Sequence, residues 1–301
     1  MRLEHAFPYI EVLFAVVVWG ASFVATKVAL QQVSPVTIIW LRFAMGVVIL
    51  GFAVAVRGQF SLPTWKDAGY FALLGFIGIT WHQWLQATGL QTAQATTTAW
   101  IVASTPVFMA LLAWLILRER LRWGQIAGIF VAGAGVLLVV SKGDLQSLVG
   151  GQVVTRGDLL ILLSAPNWAI FSTLSRSGLK RHPAARMMFY VMALGWLFSS
   201  ALLFNGPGLS EISQLSGDGW IGVLFLGIAC SGLAYIGWYD ALKAIPASQV
   251  GSFLYLEPLV TVIVAGVILG EPFLWASGVG GGLILSGVWM VNRVRSARQQ
   301  S

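Results

Sequence analysis

Lys27, Arg42, His82 and Glu257 are ionisable side chains within the long apolar stretches of this chain. In a membrane such groups are costly, so each must find a partner, face a wet cavity or shed its charge. Glu257 directly precedes Pro258. It could contact a substrate amine or carry a coupling proton. Equally, it could cap backbone groups that the proline frees, or pair with a cation. Arg42 could pair with an acid or with carbonyls, or attract a carboxylate. Lys27 sits near the end of its stretch, where a long stem can reach the interface. A structural or gating role suits both cations. His82 follows Gly78 and precedes Gln86 by four residues each, which puts the three on one helical face. No second His or Cys lies near it in sequence, so no metal site is expected.

Aromatic residues supply a second kind of chemistry. Trp19 and Trp168 occupy corresponding places in the two halves of the chain, and Trp100, Tyr235 and Tyr255 lie well inside apolar runs. An indole away from the membrane surface still needs a partner for its N–H, so it tends to face a cavity or another helix. Trp19, His82, Trp100 and Trp168 are the expected cavity wall, with Tyr235 and Tyr255 as further candidates. Such a wall suits aromatic or apolar solutes, and amines through cation–π contact. Pro106 and Pro258 interrupt corresponding runs, and Pro166 adds a third break. Paired breaks of this kind mark a binding site near the bilayer midplane.

These residues need long helices to position them. Ten apolar segments can be placed near 9–30, 36–56, 67–89, 94–117, 123–141, 157–177, 184–204, 217–241, 247–269 and 273–292. Crossing a bilayer takes about 20 helical residues. Only helices satisfy the backbone in lipid over segments this uniformly apolar. The expected fold is therefore all-α and polytopic, with ten transmembrane helices.

Residues 74–138 and 226–290 repeat one pattern at an offset of 152. Leu90 matches Leu242, Pro106 matches Pro258, Glu119 matches Glu271, Gly128 matches Gly280 and Gly135 matches Gly287. Trp19 matches Trp168 at an offset of 149. The acid at Glu257 has Thr105 as its counterpart, so the repeat does not require it. A period of half the chain fits a duplicated domain. The expected units are 1–141 and 157–301, joined by a loop at 142–156, with a short tail closing the second unit.

Charge gives the orientation. With the N-terminus cytoplasmic, fourteen of the 18 Lys and Arg fall inside, Lys27, Lys142 and Arg156 fall outside, and Arg42 lies within a helix. That bias predicts cytoplasmic termini and, for five helices per unit, an inverted second unit. The net charge of +7 is then orientation charge facing anionic lipid, not a nucleic-acid surface. A chain 57% hydrophobic and only 10% charged leaves no room for a soluble domain. No GxxxxGK[ST] loop is present, so no nucleotide and no cofactor is expected. Glycine-rich faces on the fifth and tenth segments suit tight packing within the fold, or a homo-oligomer.

The motifs resemble a known family. Trp19-Gly20-Ala21-Ser22-Phe23 with Lys27, Pro35 and Leu41-Arg42-Phe43 is similar to the opening of EamA-type members of the drug/metabolite transporter superfamily. Leu117-Arg118-Glu119-Arg120-Leu121, Ala241-Leu242-Lys243, Leu256-Glu257-Pro258 and Leu269-Gly270-Glu271 resemble its later marks. The resemblance spans the chain. It implies two inverted five-helix repeats around a central cavity, with helices five and ten peripheral. The aromatic interior most resembles the YddG-type exporters of aromatic and other amino acids. The expectation is a secondary transporter that exports neutral amino acids from the cytosol by alternating access, in the inner membrane. An exchanger of another metabolite, or a scaffold that carries no flux, is the alternative. An intramembrane enzyme lacks the required nucleophile, metal cluster or carboxylate pair.

Overall fold

The computed structural model describes residues 3–118, 121–144, 154–206 and 208–299. Glu119, Arg120 and most of the expected inter-repeat loop lie outside these residues. The described chain is helical and contains no strand. Helices α1 (Leu3–Ala29) and α2 (Pro35–Val56) come first. Helix α3 (residues 65–90) passes through a π-helical stretch, Phe76–Trp81. Helix α4 (residues 95–117) breaks at Ser104, with Pro106 opening its second piece. Helices α5 (Trp123–Val140), α6 (Arg156–Leu179) and α7 (Ala184–Phe204) follow. Helix α8 (Gly217–Ala244) contains a second π stretch, Phe225–Leu233. Helix α9 (residues 247–269) carries a 3-10 turn, Leu254–Leu256, just before Pro258. Helix α10 is Trp275–Gln299.

Start signals account for several boundaries. Pro35 opens α2, where its missing N–H costs nothing. Thr64 caps the Asp67 amide of α3, and Thr155 with Asp158 forms a capping box on α6. Pro166, an expected break, lies within the single helix α6.

Eight of these helices are long and apolar enough to cross a membrane: α1, α2 and α4 through α9. The chain is thus a multi-pass membrane protein. The eight leave out α3 and α10. Helix α3 carries Lys66, Asp67, His82, Gln83 and Gln86, while α10 is rich in glycine and serine.

Helix packing has a regular plan. The broad contacts are α5 on α10, α2 on α7, α1 on α8 and α9, α2 on α8, α3 on α6 and α7, and α4 on α6. Exchanging each helix of the first five with its counterpart in the second five leaves this set unchanged. At the α5–α10 seam the backbones nearly touch. A Cβ at Gly128 would lie 2.6 Å from the Gly287 oxygen, and one at Gly135 would lie 2.5 Å from the Gly280 oxygen. Only glycine allows that approach. The small faces expected to pack within the fold or between subunits therefore close on each other within the chain. The main apolar core lies between α2, α3 and α7, around Phe43, Phe71, Met187 and Met188.

The loop after α7 contains a five-residue helical turn, Gly208–Ile212. Its Glu211 carboxylate accepts hydrogen bonds from the Thr37 hydroxyl at 2.6 Å and the Ser34 amide at 2.9 Å. Burial works to raise the Glu211 pKa, but the bonds from Thr37 and Ser34 outweigh it and hold the carboxyl below its ordinary value.

Candidate functional site

The two π stretches occupy corresponding places in α3 and α8, and each is engaged by the first helix of the opposite half. A π turn leaves carbonyls offset from the α-helical ladder, ready for outside donors. The Trp19 indole donates to the Cys230 oxygen at 3.2 Å. The Asn167 amide, next to Trp168, donates to the Ile77 oxygen at 2.9 Å. Trp19 also packs on Tyr235 and Trp238, with centroids 5.6 and 5.1 Å apart. Trp168 packs on His82 at 4.7 Å and on Phe171 at 4.8 Å. The two tryptophans therefore hold equivalent seats, each against its own aromatic neighbours.

A small cavity opens between α1, α2 and α3. Its polar lining is Ser22, Thr26, Arg42, Gln83 and Gln86, with Phe23 and Ile39 among its apolar walls. Arg42 is buried, at 8% exposure. Its Nε donates to the Ser231 hydroxyl at 3.0 Å and its Nη1 to the Gln83 amide oxygen at 3.1 Å. Its guanidinium carbon lies 4.9 Å from the Phe43 ring centre. Among the described residues no carboxylate forms an ion pair with it. Ser231 adjoins Cys230, so one π stretch anchors both Arg42 and Trp19.

The remaining candidates fall elsewhere. His82 is buried with Nδ1 lacking a hydrogen-bond partner among the described residues. Trp100 sits in an apolar cluster with Val107, Ala132 and Ile284, its ring against Gly281 of α10. Its indole N–H is buried without a partner there, and it does not line the cavity. Tyr255 joins the edge of the same cluster and accepts a hydrogen bond from Asn292 at 2.8 Å. Glu257 is half-buried at the start of the second piece of α9. Its backbone oxygen lies 3.0 Å from the Thr261 hydroxyl, which is also 2.7 Å from the Gly20 oxygen of α1. Its carboxylate forms no ion pair among the described residues.

Lys27 donates to the Ala93 oxygen at 2.6 Å and lies 3.8 Å from the Glu271 carboxylate. Glu271 in turn accepts from the amides of Ala95 and Thr96 at 2.8 and 3.0 Å, capping α4. Lys27 and Glu271 thus clasp the α3–α4 turn to the α9–α10 turn. Two further clasps lie at the opposite helix ends. Arg57 grips Asp240 with two bonds, at 2.5 and 2.8 Å. Asp67 lies 3.1 Å from His182 and 3.2 Å from Arg181.

Residue type and spacing do not single out Gln83, Ser231, Trp238 or Asn167 as site residues. Gln83 is off the Gly78–His82–Gln86 face, and Ser231 lies in a helix whose π register no spacing reveals. Among the described residues, no group of three His, Cys, Asp or Glu side chains could hold a metal.

Comparison with known proteins fits this arrangement. An Archaeoglobus fulgidus protein, described as an uncharacterized transporter, is 27% identical over 273 residues, covering 91% of this chain and 93% of its own. The uncharacterized transporter YyaM of Bacillus subtilis is 28% identical, covering 95% of this chain and 93% of its own. A protein of Streptantibioticus cattleyicolor, described as a "probable terminal-alkyne amino-acid exporter", is 28% identical over 96% of this chain and 94% of its own. A solved crystal structure, among others, matches with a TM-score of 0.66 at 21% identity, over the full length of both chains, and shows the same fold. Residues 6–141 and 155–293 each match the EamA-like transporter family, and the chain belongs to that family.

Proposed function

We propose that this secondary transporter exports small amphipathic metabolites from the cytosol, aromatic and other neutral amino acids foremost. The observation that carries the reading is the crossed anchoring of the halves: Trp19 into the π stretch of α8, and Asn167 into that of α3. In halves so interlocked, repeat-related contacts can open in turn at the two faces. The packing plan that survives exchange of the halves, and the two separate family matches, support inverted repeats at 1–141 and 157–301, linked by 142–156. On this reading all ten helices span the inner membrane, and both termini are cytoplasmic. The Lys27–Glu271 clasp then lies at the outer face, and the Arg57–Asp240 and Asp67 clasps at the inner face. Opening one set while the other holds is the alternating access. Trp19, Tyr235 and Trp168 form the aromatic wall, while Glu257 is the candidate amine contact or coupling proton.

Counterflow into liposomes tests the reading. Purified protein should accelerate exchange of radiolabelled tryptophan, phenylalanine and threonine above empty liposomes, and should leave a sugar phosphate behind. Equal flux with and without protein, for every amino acid, rejects it.

A further inference from the structure

The polar cavity and the aromatic cluster share an anchor. Ser231 receives the Arg42 guanidinium, and the neighbouring Cys230 receives the Trp19 indole. Tyr235, one helical turn on, packs on the Trp19 ring with centroids 5.6 Å apart. A guanidinium has five N–H donors, and among the described residues two of Arg42's go to neutral acceptors. A buried cation with neutral partners is costly unless an anion arrives to compensate it.

We propose that Arg42 binds the carboxylate of the transported solute, with Gln83 as a positioning residue and Trp19 and Tyr235 receiving the solute's apolar body. This rests on the transporter reading above and assigns its polar recognition. Among the described residues lining the cavity, Arg42 is the one charged group, which matches a single carboxylate. A phosphate dianion would bring one negative charge too many. A planar carboxylate fits the guanidinium edge through two parallel hydrogen bonds. The recognised solute is therefore defined by its carboxylate, and an amine that lacks one is a poor ligand.

The test uses the purified full-length chain in detergent with three probes: 3-indolepropionate, tryptamine and inorganic phosphate. The indole carboxylate should raise the thermal unfolding midpoint of the wild type, while tryptamine and phosphate should not. In Arg42→Gln the half-effect concentration of indolepropionate should rise roughly 10- to 100-fold, the loss expected for charge-assisted bonds. Arg42→Lys, which keeps the charge but not the fork, should fall between. Tryptamine stabilising as well as indolepropionate, no carboxylate effect on the wild type, or an unchanged response in Arg42→Gln would each overturn the assignment. The wild-type comparison needs no variant, so poor folding of Arg42→Gln leaves it intact. Carboxylate binding without amino-acid counterflow keeps the Arg42 site and rejects only the exporter reading. Counterflow whose KM is unmoved in Arg42→Gln does the reverse.

Discussion

Along the seam between α5 and α10, Gly128 meets Gly287 and Gly135 meets Gly280, and each pair is the repeat image of the other. Beside α3 the halves part company. Gln83 and Gln86 have Tyr235 and Trp238 as their images, His82 has Ala234, and Arg42 at an offset of 149 has Val191. The seam keeps both halves alike because a backbone contact tolerates glycine alone on either side. The lining beside α3 carries no such constraint, and there the halves differ. At the seam, identity between the halves marks backbone contact; around Arg42 the polar lining belongs to one half alone.

That contrast can be broken most forcefully at the seam. Gly287→Val places a side chain where a Cβ would already lie 2.4 Å from the Gly128 oxygen. Overpacking of this kind costs about 1–3 kcal/mol or more. The variant should lose its monodisperse peak on size exclusion and melt earlier, whereas Gly282→Ala, with no neighbour within 4 Å, should match the wild type. Equal behaviour of the two variants would mean that the seam is not close-packed.

At the aromatic cluster around His82 the effect should fall on transport instead. On the proposed function, Trp168→Ala removes the ring against His82 and should slow amino-acid counterflow about tenfold, the value of an aromatic contact. Membrane insertion and melting should stay near the wild type. Unchanged export by a folded variant would take Trp168 out of the site and weaken the contrast.

The smallest effect lies in neither region. Because the folded pKa of Glu211 is depressed, its contribution to stability is complete above the ordinary carboxylate value of 4.5 and is lost as pH falls through the depressed one. Glu211→Gln should therefore melt slightly earlier than the wild type at neutral pH and converge with it in acid. Melting curves across pH would show it, and a constant gap would discard the Glu211 tether.

Much of the scaffold was legible in the sequence. The segment limits and the glycine faces follow from apolar length and residue type, which the fold obeys directly. The breaks beside Pro106 and Pro258 were legible as well, whereas Pro166 lies within unbroken α6 because its neighbours keep the helix in register. The π stretches were not, since a π turn keeps the same apolar pattern as an α turn and shifts only the register. The site suffered from that shift. Gln83 and Ser231, the two residues that hold Arg42, lie on faces that α-helical spacing assigns elsewhere. Trp100 shows the opposite limit: an interior indole signals packing against something small, but Gly281 is identified as its neighbour only by the fold.

The two halves reside in a single polypeptide, and this has a consequence for Arg42. If each half were a separate gene product pairing with its own copy, any residue beside the symmetry axis would occur twice. Two guanidiniums would then face one small cavity, and their repulsion would oppose closure around it. Covalent fusion lifts that restriction. One half is free to carry the cation where the other carries Val191, so a repeated frame can present unlike side chains at related places.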